Sequence, residues 1–404
     1  MTSTIAKTSS MNRWIALWWI ALAELFALSM WFSASAVLPQ LEKEWNLIGV
    51  EGSWITLAVQ IGFISGAMVS AFLGIADRIN AKKLFAFSCV LGALVNGLFV
   101  WSPNLAFGVV FRFLTGVAMA GVYPTAVKLL SMWFSNKRGL GTGVLIAALT
   151  LGSSLPHLLL FITSNVNWKV MMMISSILAL LAASIMQWIL PDVPLQSKRA
   201  STFSRDALKK VLQNRKVMLV NGGYFGHMWE LYAMWTWIPY FLTASFRETF
   251  QGPNLQAMST LFSFFTIGIA GAIGCIMGGF LAEKIGKVHL AMLAMAVSAA
   301  CCVSIGFTFE YSWLTVIVAL IWGMAIIADS GQFSAAVTEF AQPDIVGTAL
   351  TFQMAIGFLI TTISIYIVPV FVTIIGWKWA FAILAIGPLG GIVAMNCLRR
   401  GGTL

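Results

Sequence analysis

The sequence predicts an all-α membrane protein with twelve transmembrane helices in two pseudo-symmetric six-helix bundles. Three observations carry that expectation. Of its 404 residues, 59% are hydrophobic and only 9% are charged, a composition no ordinary soluble domain shares. Apolar runs long enough to cross a bilayer, about 20 residues each, recur from end to end, while strands of alternating polarity do not appear, which excludes a β-barrel. Residues also repeat at one offset: Glu24 and Glu230 are separated by 230 − 24 = 206, and Trp31 and Trp237 by the same 206.

The offset recurs elsewhere. Asp77-Arg78 matches Glu283-Lys284, Gly141-Thr142 matches Gly347-Thr348, and Tyr123 matches Asp329, each 206 apart; Trp168-Lys169 returns as Trp377-Lys378, nearly in register. Copies separated by an even number of spans keep the same orientation in the membrane. Two parallel halves of this kind place a solute path at their interface, near the bilayer midplane.

The predicted spans, with ends uncertain by a few residues, lie at about 14–38, 53–75, 83–101, 105–129, 140–163 and 169–190, then at about 217–243, 256–281, 288–308, 312–337, 346–372 and 377–398. The domains are therefore 1–190, a linker 191–216, and 217–404. The linker is polar and basic, and Leu208, Val211 and Leu212 fall on one side of a helix in its second part. The first apolar run continues past signal-peptide length and lacks a convincing cleavage site, so it reads as a retained helix.

The net charge of +10 does not point to nucleic acid, because the basic residues sit in short loops. With both termini cytoplasmic, the inner loops hold Lys7, Arg13, Arg78, Lys82, Lys83, Lys137, Arg138, the linker bases, Lys284, Lys287, Arg399 and Arg400. The outer loops hold only Lys43, Lys169, Arg247 and Lys378. That asymmetry orients the chain in a bacterial-type inner membrane. Trp101, Trp168, Trp313, Trp377 and Trp379 lie near span ends, as interfacial anchors do. The five cysteines fall in or beside apolar runs without metal-ligand spacing and read as packing residues. No metal or cofactor is expected, and no nucleophile–base set suggests an enzyme. The expected partners are a small solute, protons and lipid, with the chain acting as a monomer.

Glu230 stands in the middle of the seventh apolar run. A carboxylate there costs about 2.5–3.5 kcal/mol on insertion scales, so a role is the default expectation. Burial disfavours the charged form of a carboxyl, which suits a group that loads a proton on one side and releases it on the other. Glu24 follows the same logic. Glu230 is the first candidate proton carrier; its alternative is an acid locked structurally to a neighbouring donor. His227, one turn before Glu230, either donates to the acid or packs. His157, after Pro156, is a weaker candidate of the same kind. Trp31 and Trp237 either stack on a solute or pack. Gly271, Gly274, Gly278 and Gly279 read as close helix contacts.

The run Gly279-Phe-Leu-Ala-Glu283-Lys284-Ile-Gly286-Lys287 is similar to the inner-loop motif Gly-x-Leu-Ala-Asp-Arg-x-Gly-Arg of the major facilitator superfamily, and the resemblance covers the whole chain. The first-half copy, Leu73-Gly-Ile-Ala-Asp77-Arg78-Ile-Asn-Ala-Lys82-Lys83, keeps the acid and bases but lacks glycine at 73 and 80. Arg112-Phe-Leu-Thr-Gly116 resembles the family's Arg-x-x-x-Gly pattern in span four, whose arginine is associated with proton coupling or substrate charge. The family's antiporter pattern is not met at Gly152-Ser-Ser-Leu-Pro156. The run Pro124…Trp133-Phe134…Arg138-Gly139 resembles branches that carry organic anions and sugar phosphates.

The resemblance implies that spans one, four, seven and ten line a central cavity. Each carries an ionisable residue: Glu24, Arg112, Glu230 and Asp329. Arg112 then binds a substrate anion, or competes with a proton for a glutamate, or forms a permanent ion pair. Asp329 and Tyr123 lie lower in the cavity, Asp329 as a lining residue or a structural cap. Asp77, Arg78, Glu283 and Lys284 are expected to form inner-gate pairs. The expected function is proton-coupled transport of a small polar organic solute, an organic anion included, by alternating access. The alternative is proton-driven efflux of amphipathic or cationic compounds.

Overall fold

A computed structural model describes residues 11–134, 138–163, 166–192, 205–252, 254–342 and 345–401, with side chains omitted at 76–77, 138–140 and 205. The described residues are helical throughout, joined by short turns. Nine of the helical stretches are long and apolar enough to cross a membrane: Ser53–Leu73, Ala81–Trp101, Leu105–Trp133, Gly141–Ile162, Trp168–Ile189, Leu255–Ile285, Lys287–Phe307, Ser312–Phe340 and Val346–Gly401. The last holds two predicted spans. They meet at Gly376, where φ 74° and ψ 170° leave the helical region, a backbone that glycine adopts without a Cβ penalty.

Two further predicted spans have their own reasons for falling outside those nine. The first is interrupted: Arg13–Leu28 ends, residues 29–32 turn, and the chain resumes as Ser33–Ala36 and Leu38–Trp45. The seventh is Arg215–Thr249, longer than the sequence suggested, with Asn221, His227 and Glu230 diluting its apolar run. With these two, and the kinked last stretch counted as two, the described residues accommodate twelve spans.

The internal repeat is visible as a repeated helix contact. A Cβ on Gly116 would stand 2.1 Å from the Val59 carbonyl oxygen, and one on Gly323 would stand 2.0 Å from the Thr266 carbonyl oxygen. The glycines are 323 − 116 = 207 apart and the carbonyls 266 − 59 = 207 apart, so spans two and four meet as spans eight and ten do. Only hydrogen at these positions lets the backbones touch. Gly274 and Gly278 make the same kind of approach, to the carbonyls of Met324 and Ala328. Gly279, expected to do likewise, faces open space. The halves meet where span two packs on span eleven and span five on span eight.

Two surface expectations change. Trp101 and Trp313 are exposed as anchors should be, but Trp168 is buried, its indole N–H donating to Glu44 at 2.5 Å. The linker forms the helix Arg205–Gln213. Its packed side holds Ala207 and Val211, while Leu212 points outward.

Candidate functional site

The turn at residues 29–32 brings Trp31 to the place where the halves meet. A cavity of about 70 Å³ lies there, walled by Trp31, Phe63, Tyr123, Tyr224, Tyr232 and Phe358. The rings form one continuous cluster: Phe63 to Phe358 4.6 Å, Trp31 to Phe63 5.0 Å, Tyr232 to Phe358 5.3 Å and Trp31 to Tyr232 5.8 Å between centroids. At that size the cavity admits a few waters and falls well below the roughly 300–1,000 Å³ typical of small-molecule pockets. The Trp31 indole N–H is buried without a partner.

Larger cavities flank it. One of about 390 Å³ is lined by Thr142, Cys275, Glu283, Lys287 and Gln332. It shares Ile146 and Ile327 with the central cavity, so those two side chains form part of the wall between them. At the opposite end, a cavity of about 310 Å³ is lined by Ser35, Glu42, Tyr240, Arg247, Gln256 and Trp377. It shares no lining residue with the central one. Burial pushes the Glu42 carboxyl above the usual carboxylate range, and the Tyr240 hydroxyl beside it pulls the other way.

Arg112 is fully buried and its guanidinium holds the turn in span one. It donates to the Met30 carbonyl at 3.0 Å, to Ser33 Oγ at 3.4 Å, to Asn96 Oδ1 at 3.2 Å, and to the Trp31 carbonyl in a short contact. Asn96 in turn donates to the Met172 carbonyl at 3.1 Å and to Ser176 Oγ at 3.0 Å. The network therefore ties spans one, three, four and six. The acceptors are all neutral oxygens; neither glutamate is among them. The broken helix leaves carbonyls without intrahelical partners, and a planar five-donor group serves several at once.

The two glutamates sit in contrasting surroundings. Glu230 Oε1 accepts from Ser298, from Cys302 at 3.1 Å and from the Trp322 indole. Glu24 is equally buried, and neither of its carboxyl oxygens has a partner. The repeat explains the difference. At the offset of 206, Ser298 and Cys302 answer to Gly92 and Asn96 (298 − 206, 302 − 206); at the 207 that relates the Gly116 and Gly323 contacts, Trp322 answers to Thr115 (322 − 207). One donor is replaced by hydrogen, Asn96 is engaged by Arg112, Ser33 and span six, and the Thr115 hydroxyl donates to the Phe111 carbonyl at 2.8 Å.

His227 meets Asp329 rather than Glu230: Nδ1 lies 2.9 Å from Oδ1, both groups buried. Asp329 stands at the junction of Ser312–Ala328 and Ser330–Phe340, beside Ser330, which lines the central cavity. Tyr123 lines that cavity as expected. Trp237 does not; its indole donates to the Ile365 carbonyl at 2.9 Å and joins spans seven and eleven. His157 is buried with both ring nitrogens unpartnered.

Of the expected gate residues, Glu283 lines the 390 Å³ cavity. The Asp77 side chain lies outside the described residues, so its pairing with Arg78 does too. Lys284 is exposed. Among the described residues, ion pairs at this end join Lys287 to Glu339 at 2.7 Å and Lys82 to Asp192 at 3.6 Å. Sequence reasoning also missed Asn96, Ser298, Cys302 and Trp322. The i, i+4 spacing of Ser298 and Cys302 marks a small polar face on span nine, which is the one signal available for them.

A family model described as Major Facilitator Superfamily matches residues 20–364. The niacin transporter NiaP of Acinetobacter baylyi (strain ATCC 33305 / BD413 / ADP1) is 26% identical over 351 residues, 76% of this chain and 74% of that protein. The benzoate transport protein of the same organism is 25% identical over 369 residues, 79% of this chain and 75% of its own. A gallate transporter of Pseudomonas putida is 22% identical, covering 80% and 77%. Among solved structures, a bacterial homologue of the human lysosomal transporter Spinster, inward-facing and unoccupied, superimposes with a TM-score of 0.70 at 14% identity over 97% of this chain and 96% of its own. The nucleoside transporter NupG gives 0.71 at 14% identity, over 95% and 99%. Its two pseudo-symmetric sets of helices, packed through repeated glycine contacts around a shared central cavity, together with the match across most of its length, establish that this chain is a multi-pass membrane transporter belonging to the Major Facilitator Superfamily.

Proposed function

We propose that the protein is a proton-coupled secondary transporter of a small organic anion, working by alternating access in a cell inner membrane with both termini cytoplasmic. The observation that carries this is the aromatic-walled cavity at the meeting of the halves, with Arg112 behind Trp31 and an unpartnered Glu24 in the same half. Flat rings suit an arene. The relatives named for niacin, benzoate and gallate, with one named as a probable sulfoacetate transporter, support small acids as cargo. A buried guanidinium surrounded by neutral acceptors supports an anion rather than the cationic compounds of the alternative.

The geometry also reorders the two acids. Glu230 is held by three donors, whereas an ionised Glu24 would be a buried charge without compensation, a cost of several kcal/mol. The neutral form of Glu24 fits this arrangement, and we assign it the travelling proton. Its ionised form belongs to the conformation in which water reaches it.

The test is accumulation of labelled benzoate or nicotinate by proteoliposomes under an imposed pH gradient. Glu24→Gln abolishes gradient-driven accumulation and keeps exchange of labelled for unlabelled solute. Glu230→Gln keeps the oxygen that its donors address and retains a substantial part of the accumulation. Undiminished pH-driven accumulation in Glu24→Gln removes it as carrier.

A further inference from the structure

We infer that Gln60 and the Trp31 indole N–H together form the polar receptor for the substrate's carboxylate. The inference rests on the organic-anion function proposed above and adds a residue, Gln60, that neither the sequence motifs nor the cavity lining singles out.

Gln60 is fully buried in span two, and both its amide nitrogen and its amide oxygen lack partners. Buried polar side-chain atoms are rarely left unpaired, and each costs about 1–3 kcal/mol. Contacts on either side fix where it sits. One turn before it, Thr56 meets Ser35 of span one, oxygen to oxygen at 2.7 Å. One turn after it, Phe63 packs on Trp31 at 5.0 Å. Residues 56, 60 and 63 share one helix face, and Trp31 and Ser35 are four apart on the segment opposite. Gln60 thus faces the same stretch of span one, between two contacts to it, one of them made by Trp31 itself.

The chemistry of the set fits a carboxylate. The amide offers two N–H donors and the indole one, all uncommitted. The guanidinium of Arg112 grips the Trp31 carbonyl from behind, so a positive charge backs neutral donors, and its buried Nε is also unpartnered. A buried cation surrounded only by neutral acceptors is balanced when an anion arrives. The ring of an arene carboxylate then lies among Phe63, Tyr232 and Phe358, which part to widen the cavity. Direct donors supply selectivity for the anionic group, while the rings tolerate different arenes.

The experiment is titration calorimetry of the purified full-length protein with benzoate and its neutral isostere benzamide, alongside melting temperatures without ligand. Wild type is expected to bind benzoate more tightly than benzamide. Gln60→Leu weakens benzoate by about tenfold or more, narrows the benzoate-to-benzamide ratio, and raises the ligand-free melting temperature, because it removes orphaned polar atoms. Trp31→Phe keeps the ring and narrows the ratio likewise. Gln60→Glu eliminates benzoate binding and spares benzamide. A wild type that prefers benzoate, with the ratio unchanged in Gln60→Leu and Trp31→Phe, overturns this inference and leaves the organic-anion function standing. A wild type that binds neither compound nor nicotinate overturns both.

Discussion

Arg112 is the residue for which sequence and structure give different expectations, and its replacement separates them. If its charge serves chiefly to attract substrate, Arg112→Ala should lose affinity and leave the empty protein intact. The geometry says otherwise. The guanidinium satisfies the carbonyls of Met30 and Trp31 at the interruption of span one, together with Ser33 and Asn96. Removing it strands the buried Trp31 carbonyl, at about 1–3 kcal/mol, while the Met30 carbonyl keeps the Ser33 hydroxyl at 2.9 Å. Ser33 and Asn96 keep other partners, so they add little. At about 2.1 cal/mol/K per residue over 404 residues, or about 1.2 °C per kcal/mol, the ligand-free melting temperature should fall by roughly 1–4 °C. Arg112→Lys retains the charge but has no planar fork to span acceptors on both sides of the turn, so it should recover only part of the loss. The assay is thermal unfolding in detergent without ligand, read by tryptophan fluorescence. A ligand-free melting temperature for Arg112→Ala equal to that of wild type refutes the argument that the guanidinium holds the turn.

Two other outcomes follow from named contacts. Gly116→Ala and Gly323→Ala each drive a methyl carbon to about 2 Å from a carbonyl oxygen on the adjacent span, and overpacking of this kind costs about 1–3 kcal/mol; both should lower the yield of monodisperse protein to a similar degree, and unaltered yield in either variant contradicts the close approach. Glu42 has its carboxyl raised by burial, so its contribution to stability is fully present below the unfolded-state value and is lost as pH rises through the folded-state value. Glu42→Gln should therefore melt above wild type near pH 8 and converge with it near pH 4 (both approximate), on the order of the range over which carboxyls titrate; parallel curves contradict a raised Glu42.

The fold was legible because it is written in local patterns. Apolar run length, loop charge and the offset of 206 need no tertiary information, and the four ionisable residues assigned to spans one, four, seven and ten are all buried. What stayed hidden depends on partners from other spans. The interruption at Ser29-Met30-Trp31-Phe32 contains neither glycine nor proline. A guanidinium from span four satisfies its carbonyls, a partner that no scan of span one can reveal. His227 and Glu230 lie one turn apart, which suggested a pair, yet the imidazole turns to Asp329 across the bundle. The equal prominence of the two glutamates was also misleading, since what distinguishes them is carried by positions 92, 96 and 115 against 298, 302 and 322.

The wall formed by Ile146 and Ile327 has a consequence for the cell's energy supply. Hydronium hops readily along an uninterrupted file of water, and such a file would short-circuit the membrane potential. Here Ile146 and Ile327 line both voids, and their branched hydrocarbon gives water no hydrogen-bonding partner, whereas the hydroxyls of Ser330 and Ser334 line the central one. On the proton-coupled reading proposed above, this pair of greasy side chains is where leakage of hydronium through the empty carrier meets resistance.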